Sequence, residues 1–485
     1  CHGMKGKGNG PAAEYLFPKP RDFTSGIYKF TSTPNGKLPT DKDIERVVRE
    51  GLSPGGMPGF DNSLSDKQIQ NVSDYVKTFS DKFKKQDVPE PVNVPEPPED
   101  LMAESRVKKG KKLYGKLCAT CHGKNGKGNG PAASTQKDHW GEPLPPRDLT
   151  QGQYKAGGEI KDLYWRIVTG INGTGMPPFK QVLSTPEQRW AMIAYVRSLR
   201  EDTGPAVSGE TKGTLLAKRV DVSQKSLKDP ASPVWETSNR TRKSLYSLWL
   251  TDRTPFDSVE VRALHNGNRL ALRLSWNDPT ANVKPIGQTE FTDGTAVMFP
   301  DVKGAVPFIG MGDQNMEGGV AHIWHWRAMD QFAVDRGGTT VDMEDKYPYM
   351  DITYYKNKED YKPGTSAKYE KGHQHTSNQP RKYQTAWAVN NPLAKQTLDR
   401  PVRSYRAEGL GSLTALKKKK MRVDGDGHYQ DGQWQVVITR PLKTQTRVVQ
   451  FEPGETHKAA FAVWDGEQND RNGQKDITSW ISLKL

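Results

Sequence analysis

Cys118-Ala119-Thr120-Cys121-His122 is the segment that most constrains this chain. Two thiols separated by two residues, followed at once by an imidazole, form the attachment site of a c-type haem. The sulfurs form thioethers to the haem edge and His122 ligates the iron. Around such a site the chain has to supply a helix that delivers the cysteines, a loop that wraps the haem edge and a second axial ligand. Haem attachment of this kind occurs on the outer side of an energy-transducing membrane, so a periplasmic or equivalent compartment is expected.

Half of the motif recurs at Cys1-His2. Cys1-His2-Gly3-Met4-Lys5-Gly6-Lys7-Gly8-Asn9-Gly10-Pro11-Ala12-Ala13 returns, with small changes, as Cys121 to Ala133, an offset of 120 residues. Arg21-Asp22-Phe23 answers Arg147-Asp148-Leu149, and Gly56-Met57-Pro58 answers Gly175-Met176-Pro177. Each copy closes on a helical apolar stripe: Ile69, Val72, Val76 and Phe79 in the first, Trp190, Ile193, Val196 and Leu199 in the second. This is a tandem duplication. In each copy a Met follows the haem-ligating His by 55 or 54 residues. The pairs His2/Met57 and His122/Met176 therefore read as axial ligands, the soft thioether favouring reduced iron. The bland reading of each Met is a core filler. In the second copy a helix over 105–117 delivers the cysteines. The first copy has no upstream Cys or leading helix in view, which reads as a record that starts inside the motif.

The two copies resemble class I cytochrome c domains, over 1–83 and 104–205. Between them, residues 84–103 are rich in Pro and Glu. Such a segment is extended and semi-rigid, a spacer that keeps two haem domains within electron-transfer range.

Composition narrows the rest. The only three Cys are residues 1, 118 and 121, so none remains for a disulfide or a Cys-based zinc site. The net charge of +14 invites a nucleic-acid reading, but it is thinly spread. Its one dense run, Lys417 to Lys420, reads as a solvated loop, so no nucleic-acid partner is expected. Mean hydropathy is −0.81, and no run approaches the roughly 18–20 apolar residues of a membrane span.

From about residue 213 the periodicity turns to two. Val259, Val261 and Ala263 alternate, Asn266-Gly267 signals a type I′ turn, and Leu270, Leu272, Leu274 and Trp276 follow. Tyr429, Asp431-Gly432, Trp434, Val436 and Ile438 make a second hairpin, and 459–464 reads as a further strand. The expected fold is thus multidomain: two all-α cytochrome domains, then an all-β antiparallel sandwich over 213–485 with an insertion at about 340–420.

Several segments of that half, in this order, resemble the haem b domain of ethylbenzene dehydrogenase γ subunits. They are Asp229-Pro230 before Trp235, Leu272 to Trp276, Ala296 to Pro300, Ile323-Trp324-His325-Trp326, Asp431 to Ile438 and Phe461 to Gly466. Similar domains occur in γ subunits of dimethylsulfide dehydrogenase, selenate and chlorate reductases and nitrite oxidoreductase, all molybdenum enzymes. The resemblance implies one noncovalent haem b held between a Met and a Lys. In this chain these fall on Met311 and Lys475. Met298 and Met316 rival the first, with Met298 in a strand pattern that suggests core, and Lys458 rivals the second. A Lys ligand must lose its proton, which at pH 7 costs roughly 4–5 kcal/mol from a reference pKa near 10.4; burial beside a cationic iron lowers that cost. His322, His325 and His457 are competing ligands, and strand alternation is expected to put His322 and His325 on one face.

The combined reading is an electron-transfer subunit, not itself catalytic. It carries two haem c and one haem b. It sits between a molybdopterin α subunit with its Fe–S β subunit and a soluble electron carrier, and fusion to two cytochrome units fits a nitrite oxidoreductase-like γ subunit best. Two other readings are a self-sufficient haem enzyme with an open iron and a β-sandwich ligand-binding protein with cytochromes attached.

Overall fold

Thr40, Ser65 and Thr185 start three helices in the same way. Each side chain accepts the backbone amide three residues on, from Asp43, Gln68 and Gln188, and those three side chains return a hydrogen bond to the cap amide. These reciprocal caps satisfy donors that a helix start leaves orphaned. They open Asp41–Glu50, Asp66–Lys77 and Pro186–Ser198. Asp43 does more: its carboxylate also accepts from the Ser32 amide and hydroxyl, at 3.0 and 2.9 Å.

The computed structural model describes residues 1–52, 55–61, 63–150, 154–200, 214–249, 255–302, 306–312, 314, 318–338, 398–409, 411–416, 421–444 and 448–485. They form two units, Cys1–Glu210 with Ser244–Asp257, and Thr211–Lys243 with Ser258–Leu485.

In the first unit each repeat has its own core. Ile44, Val48, Ile69 and Val76 make the first; Tyr114, Leu163, Ile167, Trp190 and Ile193 are among those making the second. The Asp66–Lys77 stripe differs from the expected one. Val72 is 38% exposed, whereas Ser73 is buried with its hydroxyl on the Ile69 carbonyl; the inward face runs 69, 73, 76. In the second repeat Glu104–Leu117 crosses Pro186–Ser198 at Gly110, where a Cβ would lie well inside contact distance of the Ala191 carbonyl.

The repeats are not held apart. The Asn35 amide donates to the Thr169 carbonyl at 2.7 Å, and Asn172 accepts from the Gly36 amide at 2.8 Å and donates to the Tyr28 carbonyl at 3.1 Å. Arg46 pairs with Asp162. The Pro/Glu spacer is itself tied to both repeats: the Val92 amide donates to the Ser32 carbonyl of one, and its carbonyl accepts from the Trp165 indole of the other. The boundary at 213 is also crossed, because Ser244–Asp257 belongs to this unit. Phe17 donates to the Leu248 carbonyl at 3.0 Å, and the Tyr246 hydroxyl to the Glu50 carbonyl at 2.8 Å.

The second unit is built on a twisted sheet whose strands run in the spatial order Asp424–Gln430, Gln433–Pro441, Arg269–Asn277, Ser258–His265, Leu215–Arg219, Ile481–Lys484, Thr456–Trp464, Gly294–Pro300, Ala321–Arg327, Val402–Ala407 and Thr414–Ala415. The sheet is mixed, correcting the antiparallel expectation: Leu215–Arg219 is parallel to both its neighbours. Its two halves face each other across tryptophans, with Trp326 at 5.0 Å from Trp434 and 6.5 Å from Trp276 between ring centroids.

Two local expectations also shift. The true type I′ turn is Asp431-Gly432, both at positive φ (51° and 74°). At the other hairpin Asn266 pairs with Arg269, so Gly267-Asn268 form the tip. The expected insertion ends earlier than 420, because Val402–Ala407 pairs along Ala321–Arg327; residues 339–397 lie outside the described residues. Among the described residues no helix is long and apolar enough to cross a membrane.

Candidate haem sites

Each repeat fixes its histidine through a backbone carbonyl. His2 Nδ1 lies 2.9 Å from the Arg21 carbonyl oxygen, and His122 Nδ1 lies 3.4 Å from that of Arg147. A carbonyl only accepts, so Nδ1 carries the proton and Nε2 keeps its lone pair for a metal. Burial also holds both imidazoles below the ordinary pKa, favouring the neutral form that ligates.

The loops around them match bond for bond. Gly8 and Gly128 donate to the carbonyls of His2 and His122, and Gly10 and Gly130 to those of Cys1 and Cys121. Phe23 and Leu149 donate to Gly6 and Gly126. Gly8 and Gly128 sit at φ 73° and 71°, against the carbonyls of Pro20 and Pro146, where a side chain has neither room nor an easy backbone. The Met loops match too. Leu52 donates to the Met57 carbonyl at 2.8 Å, and Ile171 to that of Met176 at 3.0 Å.

A single cavity of about 670 Å³ receives both sites. Cys1, His2 and Met57 line it together with Cys118, Cys121, His122 and Met176. Burial pushes the Cys118 thiol up to about 12, so it is a thiol in an apolar wall, 3.9 Å from Met192 Sδ.

The sequence reading missed the cavity's polar lining. Arg21, Tyr28, Lys155 and Arg166 all reach it. Arg21 Nη1, the Tyr28 hydroxyl, and Nε and Nη1 of Arg166 are buried without a hydrogen-bond partner. Burial lowers Arg21 and Arg166 to about 10 and Lys155 to about 7. Buried orphan donors call for an anion. Two propionates on each haem supply that charge, so cavity, imidazoles, thioethers and cations together fit haem. The repeated Arg-Asp pair was the available signal for Arg21; Arg166 had none.

In the sheet unit, Lys475 Nζ lies 3.3 Å from the Gly310 carbonyl oxygen, beside the half-buried Met311. Lys475 is 6% exposed, and burial brings its ammonium down to about 8. Its Nζ stands 5.1 Å from the centre of the Trp464 ring, which packs tilted against His325 at 4.7 Å. The rivals lie elsewhere. Met298 is buried in Gly294–Pro300, Lys458 donates to Ser482, and His457 faces Glu455. Met316 lies outside the described residues.

His322 and His325 do not share a face, correcting the expectation: three residues apart in a period-two strand, they point oppositely. His322 turns to the buried side, Nε2 at 2.8 Å from Asp301. His325 turns toward Trp464 and Tyr405, its pKa held well below normal by burial and by the charges of Arg327 and Lys475.

Comparison with known proteins follows this division. Residues 217–476 match the family described as ethylbenzene dehydrogenase, residues 107–200 match cytochrome c, and residues 1–76 match cytochrome c oxidase, cbb3-type, subunit III. The chain is 26% identical over 274 residues to chlorate reductase subunit gamma of Ideonella dechloratans, covering 53% of this chain and 80% of that one. It is 22% identical over 295 residues to a putative respiratory nitrate reductase heme subunit of Haloferax mediterranei, covering 60% and 80%. Dimethylsulfide dehydrogenase subunit gamma of Rhodovulum sulfidophilum is 36% identical over 92 residues, 17% of this chain and 34% of that one.

Proposed function

We propose that this chain, which belongs to the ethylbenzene dehydrogenase family and carries cytochrome c domains ahead of its sheet, is the haem-bearing electron-transfer subunit of a multisubunit oxidoreductase. The observation that carries this reading is the shared cavity. Two His/Met pairs open into one space, between repeats that are hydrogen-bonded to each other. Two c haems bound there would share this cavity, and Met311 with Lys475 would hold a b haem in the other unit.

A haem iron with two protein ligands supplies a one-electron couple. The residues do the rest. Arg21 and Arg147 hold each imidazole in the tautomer that ligates. Met57 and Met176 would supply the second protein ligand to each haem, a thioether that would favour the reduced iron. Arg21, Tyr28 and Arg166 would offer donors to the propionates, meeting the charge of the haem edge inside the protein. Lys475, already near 8, needs only a small further push to give up its proton. Nothing in this division of labour asks the chain to bind a substrate, so the chemistry belongs to a partner.

The names of the relatives place such subunits in chlorate reductase, nitrate reductase and dimethylsulfide dehydrogenase. By extension the partners here are a molybdopterin α subunit and an Fe–S β subunit, the outer acceptor or donor is a soluble carrier, and the compartment is periplasmic. The test is purification of the native complex. Large subunits carrying molybdenum and iron–sulfur clusters should accompany the chain; a chain that purifies alone and turns over a small molecule with its own haem overturns the proposal.

A further inference from the structure

A second constellation of ligating groups lies in the sheet unit. Asp278 follows Arg269–Asn277, Asp293 precedes Gly294–Pro300, and Asp465 follows Thr456–Trp464. One carboxylate oxygen from each lies within 4.8 Å of the others. All three side chains are buried, Asp278 and Asp293 with 0% exposure.

The carboxylates are aimed by their surroundings. Asp278 Oδ1 accepts from the Thr280 amide and hydroxyl, at 3.1 and 3.3 Å. Asp293 accepts from the amides of Asn282 (2.7 Å) and Gly466 (2.9 Å) and the Trp434 indole (3.0 Å). Asp465 Oδ1 accepts from the amides of Glu467 and Gln468. Asp278 Oδ2, wholly buried, has no hydrogen-bond partner. Burial, together with the charge of the neighbouring carboxylates, raises Asp278 to about 7 and Asp293 to about 6. Three buried carboxylates turned on one point, with one oxygen orphaned, are a costly arrangement unless a cation sits among them.

We propose that Asp278, Asp293 and Asp465 bind one calcium ion. The donor set is all oxygen, which excludes the softer transition metals. The three ligand side chains are buried, which disfavours magnesium, an ion that keeps several of its waters; calcium accepts carboxylate and carbonyl oxygens in irregular geometry. The ion ties together three strand ends. One of them opens the turn in which the Asp465 amide donates to Asp470, and that turn leads on to Lys475. Calcium thus anchors the loop that carries Lys475, although binding of the ion does not depend on what Lys475 ligates.

The full haem-loaded chain tests this. Metal analysis after exhaustive dialysis should find about one calcium per chain. Chelation should lower the melting temperature of the sheet unit by about 5 °C, with recovery on adding calcium. Terbium should displace the ion and luminesce through energy transfer from Trp434. Asp278→Asn should weaken calcium binding at least about tenfold, leaving covalent haem at Cys118 and Cys121 unchanged. If that variant fails to fold, chelation and re-addition on the natural chain decide alone. Two results overturn the proposal: stoichiometric binding of a different metal, or no bound divalent ion with a melting temperature indifferent to millimolar calcium. In the latter case the carboxylates share a proton instead.

Discussion

The Lys475 side-chain nitrogen lies 3.3 Å from the carbonyl oxygen of Gly310, the residue before Met311. Two segments more than 160 residues apart in the chain thus meet at a single buried amine. Its hydrogen bond to a carbonyl holds it beside the Met loop, and its low exposure has already removed part of the cost of neutralising it.

Lys475→Leu, which leaves no side-chain atom able to ligate iron, should therefore lose or sharply reduce acid-extractable, noncovalent haem, while covalent haem stays at the natural level. Lys458→Leu, which removes an amine bonded to Ser482, should leave both unchanged. Haem extraction on the purified variants reads both outcomes. Equal loss in the two variants would point away from Lys475.

Met176→His should keep a six-coordinate, low-spin haem and lower its midpoint potential by roughly 0.1–0.3 V, because imidazole favours ferric iron more than a thioether does. Potentiometric titration followed at the c-haem α band measures it. The Met57 haem should move much less, through its proximity alone.

Gly110→Ala should destabilise the second repeat by about 1–3 kcal/mol, since the added methyl meets the Ala191 carbonyl at the helix crossing. Gly115→Ala lies on the same helix with nothing within 4 Å of the new Cβ. There the higher helix propensity of Ala should stabilise by up to about 1 kcal/mol. Chemical denaturation of the two variants should move in opposite directions.

The buried histidines of the sheet unit disfavour the fold in acid, opposite in sign to Asp278 and Asp293, whose raised values favour it as pH falls. Burial lowers His322, and likewise His325 and His265, below the ordinary 6.5. At these histidines the unfolded chain then binds more protons than the folded one between those lowered values and 6.5. Their contribution to stability, present above pH 6.5, is lost as pH falls through that window. His322→Gln, which keeps a donor toward Asp301, should raise the melting temperature at pH 5 relative to that at pH 7, compared with the natural chain.

Much of the helical unit was legible because its signals are local or repeated. Cys118 to His122, the Gly loops and the two Met-Pro segments each occupy a few residues, and duplication made every one visible twice. What escaped was nonlocal. Leu215–Arg219 pairs in parallel with strands far along the chain, and nothing within its five residues records that choice. The ties at Val92 leave no mark in composition, because Pro and Glu report stiffness and not the carbonyl that Trp165 finds. Asp278, Asp293 and Asp465 stand at three separate strand ends, with no spacing to mark them. The His322 and His325 error was one of counting: alternation carries residues two or four apart to one face, never three.

The account turns on three protein-ligated haems in one chain. Pyridine haemochrome analysis of the native, purified chain, before and after acid extraction, measures that directly. Two c haems should be retained and one b haem released per chain, with no carbon monoxide binding before extraction. Absence of releasable b haem, or a carbon monoxide-reactive iron in the native state, would contradict it.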